Sequence, residues 1–413
     1  MQVATYPPRR LSVSENLALS FFWFTNNVQW TALIIIVMPA VIRGFVGNAR
    51  SGAMLSLVSA SGALIASVSQ PVFGAISDRS LHRWGRRRPF MLAGVVLTSA
   101  TLVVMGFAHS LWLFAGAFFV LEVVANLATA PYAGLIPDLV VPEQRGTASG
   151  YMGLMNEAAI IFGVLLPSYL SVRMAFEVLA ALQVVGLLVT LYGVKERRLS
   201  DRPPFSLRAF FKSFWISPQA YPDWWWVFGT RLLVLLGFAT LEYYLYYYLL
   251  YVQHLVNPNG YLDQILLLVT GGSVLSVLAA GWLSDKLHRR RFLVTIGGLL
   301  MGLTAIGFVF THRMGDILAL AAVFGLGYGT YISCDWALAV DVLPPTDNAA
   351  KDMGLWSISQ TLSQTVATIL GGVLLVALAH RLGLSGSYRA LYLLSFIYFL
   401  LGSVLIFRVK SAR

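Results

Sequence analysis

The sequence predicts an all-α membrane protein of twelve spanning helices, and three observations carry that prediction. Only 11% of the 413 residues are charged, against about 25% in a soluble domain. That is too little charge to cover the surface of a soluble fold this long. The chain is 58% hydrophobic with a mean hydropathy of +0.73. Apolar runs of about 20 residues, the length that crosses the hydrocarbon of a bilayer, recur along the whole chain.

The runs place helices at 17–39, 52–76, 89–108, 111–134, 149–171, 174–193, 224–252, 262–283, 292–311, 315–340, 352–379 and 388–408. The first run is too long for a signal-peptide core, and no small-residue cleavage site follows it. It therefore reads as helix 1. The only sizeable loop is 194–223, where Lys195, Arg197, Arg198, Arg202, Arg208 and Lys212 gather and Pro203, Pro204 and Pro218 interrupt regular structure. It divides the chain into an N-terminal bundle (1–193), a linker (194–223) and a C-terminal bundle (224–413).

The net charge of +11 has a topological reading. Of the 29 lysines and arginines, 22 fall on the loops that share a side with the N-terminus, and six fall on the opposite loops. The positive-inside rule then puts both termini in the cytoplasm of a plasma or inner membrane, and no nucleic-acid partner is needed to explain the charge. The single cysteine, Cys334, excludes a disulfide within the chain and sits in an apolar run that suits a small core residue.

The halves repeat. Gly74-Ala-Ile-Ser-Asp78-Arg79 closes helix 2, and Gly281-Trp-Leu-Ser-Asp285-Lys286 closes helix 8, with the aspartates 207 residues apart. Asp138 follows helix 4 and Asp341 follows helix 10, 203 residues apart, each with a proline three or four residues on (Pro142 and Pro344). Two motif pairs at nearly one offset, both at helix ends on the basic side, argue for a duplication. Parallel halves of this kind are one recognised transporter plan.

The segment from Gly74 to Phe90, with Asp78-Arg79 and then Arg83-Trp84-Gly85-Arg86-Arg87-Arg88-Pro89-Phe90, resembles the loop 2–3 signature of the major facilitator superfamily. Its arginine-rich ending is similar to that of the sucrose/H⁺ symporters, the solute carrier 45 group and the wider glycoside–pentoside–hexuronide cation symporters. Asp335-Trp336-Ala337-Leu338, and Leu343-Pro344 followed by Lys351-Asp352-Met353-Gly354, resemble bacterial members of the solute carrier 45 group. The resemblance spans essentially the whole chain. It implies the major facilitator superfamily fold of two pseudo-symmetric six-helix bundles that rock about a central site lined by helices 1, 4, 7 and 10. It also implies proton-coupled movement of sugars, with no cofactor beyond the proton gradient, by a monomer.

Ionisable side chains inside spans are costly and mark function. They are Glu122 on helix 4, Glu157 on helix 5, Arg231 and Glu242 on helix 7, and Asp335 on helix 10. Glu122 shares a face with Asn126, and Asp335 shares one with Tyr328 and Tyr331. Carboxylates and amides suit sugar hydroxyls, aromatic rings suit the apolar face of a sugar, and a desolvated acid is suited to carry a proton. Glu122, Asp335 and Glu242 are accordingly the candidate coupling acids. Structural hydrogen bonds between helices are the plainer explanation of each. Arg231, about two turns into helix 7, reads as an arginine that snorkels to the cytoplasmic surface. On helix 1, Asn26 and Trp30 share a face and are substrate candidates, with helix–helix contact as the alternative. Asn156 and Glu157 on helix 5, and Trp356 and Gln360 on helix 11, rank second because those helices flank the cavity in the family.

For Asp78 and Asp285 the expected role is a latch. Each carboxylate meets the N-terminus of an opposing helix, where partial positive charge gathers, or a nearby loop arginine. Arg79 and Arg86 join this gating group, although the Arg86–Arg88 run reads first as a positive-inside anchor. The tyrosines 243–248 suggest an outer gate, and Trp224–Trp226 an interfacial belt. Gly325-x-Gly327-x-Gly329 is not preceded by a strand, so it marks close packing and not a nucleotide loop. No phosphate-binding Gly-Lys-Ser/Thr loop and no metal-ligand cluster appears, which argues against ATP-driven transport and a bound metal. Helix 2 lacks paired aspartates, which favours protons over sodium. A proton-coupled sugar symporter is the first reading. An exporter of drugs or metabolites is the second, and a non-transporting membrane sensor the third.

Overall fold

The computed structural model describes residues 9–194, 214–255, 258–344 and 348–410. The basic cluster Lys195–Lys212 of the predicted linker lies outside the described residues. Helix α1 runs Val13–Val46. It opens at Ser12, whose hydroxyl accepts the Glu15 amide while the Glu15 carboxylate accepts the Ser12 amide, a reciprocal cap. Over Ala32–Val37 its turns widen to π-helical spacing. Pro39 explains this: it has no amide hydrogen and its ring crowds the carbonyl four residues back.

The next helices are α2 (Asn48–Ser77), α3 (Arg88–Gly106), α4 (Leu111–Ala133), α5 (Arg145–Ser168) and α6 (Val172–Gly193). Then come α7 (Pro222–Tyr251), α8 (Asn259–Leu287), α9 (Arg290–Phe310) and α10 (Met314–Asp341). A final helical stretch, Ala349–Leu405, is broken only at Gly383, with φ of +67°. We label its parts α11 (349–382) and α12 (384–405). The described residues hold 11 apolar segments long enough to span a membrane, and the last of them carries two helices. The predicted loop between 379 and 388 is thus replaced by one left-handed glycine. Gly383 takes that conformation without a Cβ penalty, and its carbonyl accepts the Ser387 hydroxyl at 2.7 Å.

The chain forms two compact units. The first comprises Met1–Gln144, Leu154–Ile216 and Leu343–Leu355, and the second comprises Arg145–Gly153, Ser217–Val342 and Trp356–Arg413. In the first unit α4 packs on α2 and α3, and α6 packs on α1 and α3. Phe114, Phe118, Leu121 and Phe176 fill its core. In the second unit α10 packs on both α8 and α9. The glycine run on α10 makes this possible. Gly325 and Gly329 face Val269 and Ser273 of α8, and Gly327 faces Gly297 of α9. A Cβ on Gly325 would lie 2.1 Å from the Val269 carbonyl oxygen. The run is a packing seam, as its sequence context predicts.

Candidate functional site

The repeated motif builds one arrangement twice. At the end of α2, Asp78 accepts the backbone N–H of Ala350 at 3.3 Å and of Lys351 at 3.0 Å, the first turn of α11. Arg87 pairs with Asp78 at 2.5 Å, and Arg86 stands at 4.0 Å. Both arginines also hold Asp138, at 3.0 and 2.7 Å. In the second unit Asp285 accepts the N–H of Gly146 at 2.9 Å and of Thr147 at 2.6 Å, the first turn of α5. Arg290 bridges Asp285 and Asp341 at 3.1 and 2.8 Å, and Arg145 adds a bond to Asp341 at 2.8 Å. A carboxylate at a helix N-terminus meets both the exposed amides and the dipole. Burial pushes the Asp78 carboxyl up from its ordinary range, opposed by Arg87, Arg86 and the Lys351 amide.

The anchor reading of Arg86–Arg88 is corrected here. Arg87 is fully buried and Arg86 nearly so, because each satisfies a carboxylate. Arg88 donates to the carbonyls of Leu191 and Val194. The ion pairs of Asp78 run to Arg87 and Arg86, while Arg79 is half-buried beside it. Arg87 stands 203 residues before Arg290, the offset that relates Asp138 to Asp341, and that signal distinguishes it within the run.

A second cluster lies inside the spans of the second unit, and it overturns the snorkelling reading of Arg231. That side chain is 2% exposed. It donates from Nη1 to the Asp335 carboxylate and from Nη2 to Gln360 Oε1 at 3.4 Å. Its guanidinium lies 3.7 Å from the centre of the Trp356 ring. Asp335 also accepts the Tyr331 hydroxyl at 3.2 Å. A charge buried this deeply needs a partner, and Asp335 supplies one where the surface does not. Trp356 and Gln360, ranked second from the sequence, are therefore brought to the ion pair. Tyr328 stacks on Phe238 with centroids 4.6 Å apart.

In the first unit Glu122 is 7% exposed near the middle of α4. Among the described residues no cation and no hydrogen-bond donor meets its carboxylate. Asn126 does share its face, but its amide donates to the Glu122 backbone carbonyl at 2.8 Å and its oxygen accepts from Thr129 at 3.3 Å. The Glu122 carboxylate faces Gly62 of α2 and sits by Phe118. Trp30 meets Phe118 edge-on with centroids 6.4 Å apart, and Asn26 is buried on the same helix as Trp30.

The remaining candidates are less gathered. Glu157 is buried and Asn156 half-buried on α5, while Glu242 is exposed on α7. In the tyrosine stretch, Tyr247 and Tyr251 stack nearly parallel to Tyr388 of α12, at 6.0 and 5.5 Å. Of the tryptophan belt, Trp224 is buried against Phe228 and Trp226 receives Arg408.

Duplicated helical halves with capped helix ends and ionisable side chains deep in apolar spans define a multi-pass membrane transporter. The Major Facilitator Superfamily model matches residues 17–368 and 263–413, and the chain belongs to that family. A sucrose transport protein of Arabidopsis thaliana is 28% identical over 182 residues, 39% of this chain and 35% of that protein's own length. A lactose permease of Lactobacillus helveticus is 23% identical over 390 residues, covering 86% of this chain and 58% of the permease. Among solved structures, the human organic anion transporter MFSD10 superposes with a TM-score of 0.74 at 14% identity, over 96% of this chain and all of that one (100%). That last likeness speaks for the fold alone.

Proposed function

We propose that the protein imports a sugar or glycoside together with a proton by alternating access. Its place is a plasma or inner membrane, with both termini in the cytoplasm, and it works as a monomer of two six-helix bundles. The observation that carries this reading is Glu122, an acid buried in mid-span with no cation against it among the described residues. Such a group gains and loses a proton without breaking an ion pair. Asn26, Trp30, Glu122 and Asn126 are the first unit's groups for the solute, and Tyr328, Tyr331 and Asp335 are the second unit's. Glu242 is a further acid available for coupling. Amides, carboxylates and hydroxyls satisfy sugar hydroxyls, and rings cover the apolar face. The relatives named for sucrose and lactose support a sugar as solute. The Asp78 and Asp285 latches hold one state of the cycle and let go in the other.

Purified protein in proteoliposomes tests this directly. Labelled sucrose, maltose and lactose are offered with and without an inward proton gradient. Accumulation of at least one sugar above equilibrium, only with the gradient, is the expected result. No uptake of any of them under either condition overturns the sugar reading and favours the exporter of drugs or metabolites.

A further inference from the structure

The Arg231 cluster has more donors than acceptors. Arg231 Nη1 is used by Asp335, and Nη2 makes a long bond to Gln360. Among the described residues, the remaining Arg231 nitrogen, Nε, is buried and meets no acceptor, and neither does the buried Nε1 of Trp356. Trp356 is 1% exposed, so water at the surface does not satisfy it. An indole N–H is a donor only, and so is a guanidinium. Two buried donors without acceptors, in side chains stacked on each other, define a place for an incoming oxygen.

Charge decides which oxygen. Arg231 is the one basic side chain that the described residues place more than two turns from a helix end. Its charge is already matched by Asp335. The other mid-span groups named for the solute are acids, amides, hydroxyls and rings. Among the described mid-span residues a carboxylate or phosphate on the solute therefore meets no uncommitted cation, and beside Asp335 it adds a second buried negative charge. A hydroxyl or ether oxygen adds none.

Resting on the sugar-symport reading above, we infer that the Arg231–Trp356 pair is a subsite for a neutral oxygen of the solute, and that the transporter takes uncharged sugars and rejects sugar acids. Asp335 is the residue that sets this selectivity, because it cancels the charge that would otherwise attract an anion. Trp336, edge-on to Trp356 with centroids 5.1 Å apart, holds the indole in place.

The test uses matched competitors. Full-length protein in proteoliposomes takes up whichever labelled disaccharide of the panel is transported. 4-Nitrophenyl glucoside and 4-nitrophenyl glucuronide, which differ only in a hydroxymethyl against a carboxylate, compete for that uptake. The glucoside should compete at least about tenfold better. Trp356→Phe keeps a ring under the guanidinium and removes the N–H. It should raise the KM for the disaccharide about fivefold, the size of one lost hydrogen bond, with the maximal rate little changed. Asp335→Asn leaves Arg231 as an unpaired cation and should reverse the preference toward the glucuronide. Equal competition by both glycosides in the wild type overturns the inference while leaving sugar transport intact, as does an unchanged KM in Trp356→Phe. If no sugar is transported and neither glycoside stabilises the purified protein against heat, the sugar reading falls and the subsite with it. Should Asp335→Asn not fold, the wild-type preference and Trp356→Phe decide the matter.

Discussion

Glu122 and Asp335 are both buried acids inside spanning helices, yet their surroundings differ in the property that matters most. Asp335 is held by Arg231 and by the Tyr331 hydroxyl, whereas among the described residues Glu122 has neither a cation nor a donor on its carboxylate. Neutralising Asp335 leaves Arg231 stranded in a low-dielectric site, and stranding one member of a buried pair costs several kcal/mol. Neutralising Glu122 strands nothing. A change of charge on Glu122 therefore breaks no ion pair, whereas a change of charge on Asp335 breaks one. The repeat shows that the difference was not inherited. At the offset of 203 that relates Asp138 to Asp341, Glu122 corresponds to Gly325 and Asp335 to Tyr132. Tyr132 spends its hydroxyl on the Leu19 carbonyl at 2.8 Å.

The sharpest way to break this comparison is Arg231→Met. It leaves Asp335 buried without its cation and should cost about 3–5 kcal/mol, seen as a large fall in the thermal midpoint in detergent. Adding Asp335→Asn to the same chain should recover most of that loss. Equal stability of the single variant and the wild type would falsify the pairing.

The Asp78 and Asp285 helix-end contacts give the next effect. Asp285→Asn weakens charge-assisted bonds from Gly146, Thr147 and Arg290, worth about 1.5–3 kcal/mol. Spin-label distances across the α5 and α8 ends should show a shift toward the separated state, and so should those across α2 and α11 in Asp78→Asn. Unchanged distances argue against a latch.

Glu122→Gln should cost less than about 1 kcal/mol in stability, since it removes no partner. It should nevertheless abolish gradient-driven accumulation while downhill exchange of sugar persists. Retained accumulation moves the coupling role to Glu242. The smallest effect is expected from Tyr331→Phe, which removes one bond to Asp335 and should cost about 1 kcal/mol in the same unfolding assay.

Much of the fold was legible because hydrophobicity and repetition are local signals. The apolar runs located the spanning helices, and the Asp78/Asp285 and Asp138/Asp341 pairs located the repeat. The break at Gly383 was not legible, since a single left-handed glycine leaves no polar loop behind. The partner of Arg231 lies 104 residues away, so an arginine two turns inside a helix looked like one reaching for the surface. Glu122 and Asn126 were correctly placed on one face, but spacing along a helix does not reveal that the Asn126 amide turns back to its own backbone. Family geometry makes helix 11 a flank and so ranks Trp356 and Gln360 second. Here an arginine on α7 reaches it.

The capped helix ends carry one more consequence. Asp78, before the 194–223 segment, takes its amide donors from Ala350 and Lys351 after it, and Asp285, after the segment, takes its donors from Gly146 and Thr147 before it. The donor pairs are themselves 204 residues apart. This reciprocity is the pattern of an isologous contact, in which a residue of one copy touches a second residue of its partner and the second touches the first in return. Two identical six-helix chains that met face to face would make the same pair of contacts as a dimer. Covalent linkage of the copies then releases each half to diverge. Arg145 is the visible result: it reinforces Asp341 on one side, while Ala349 at the corresponding position on the other has no charge to offer.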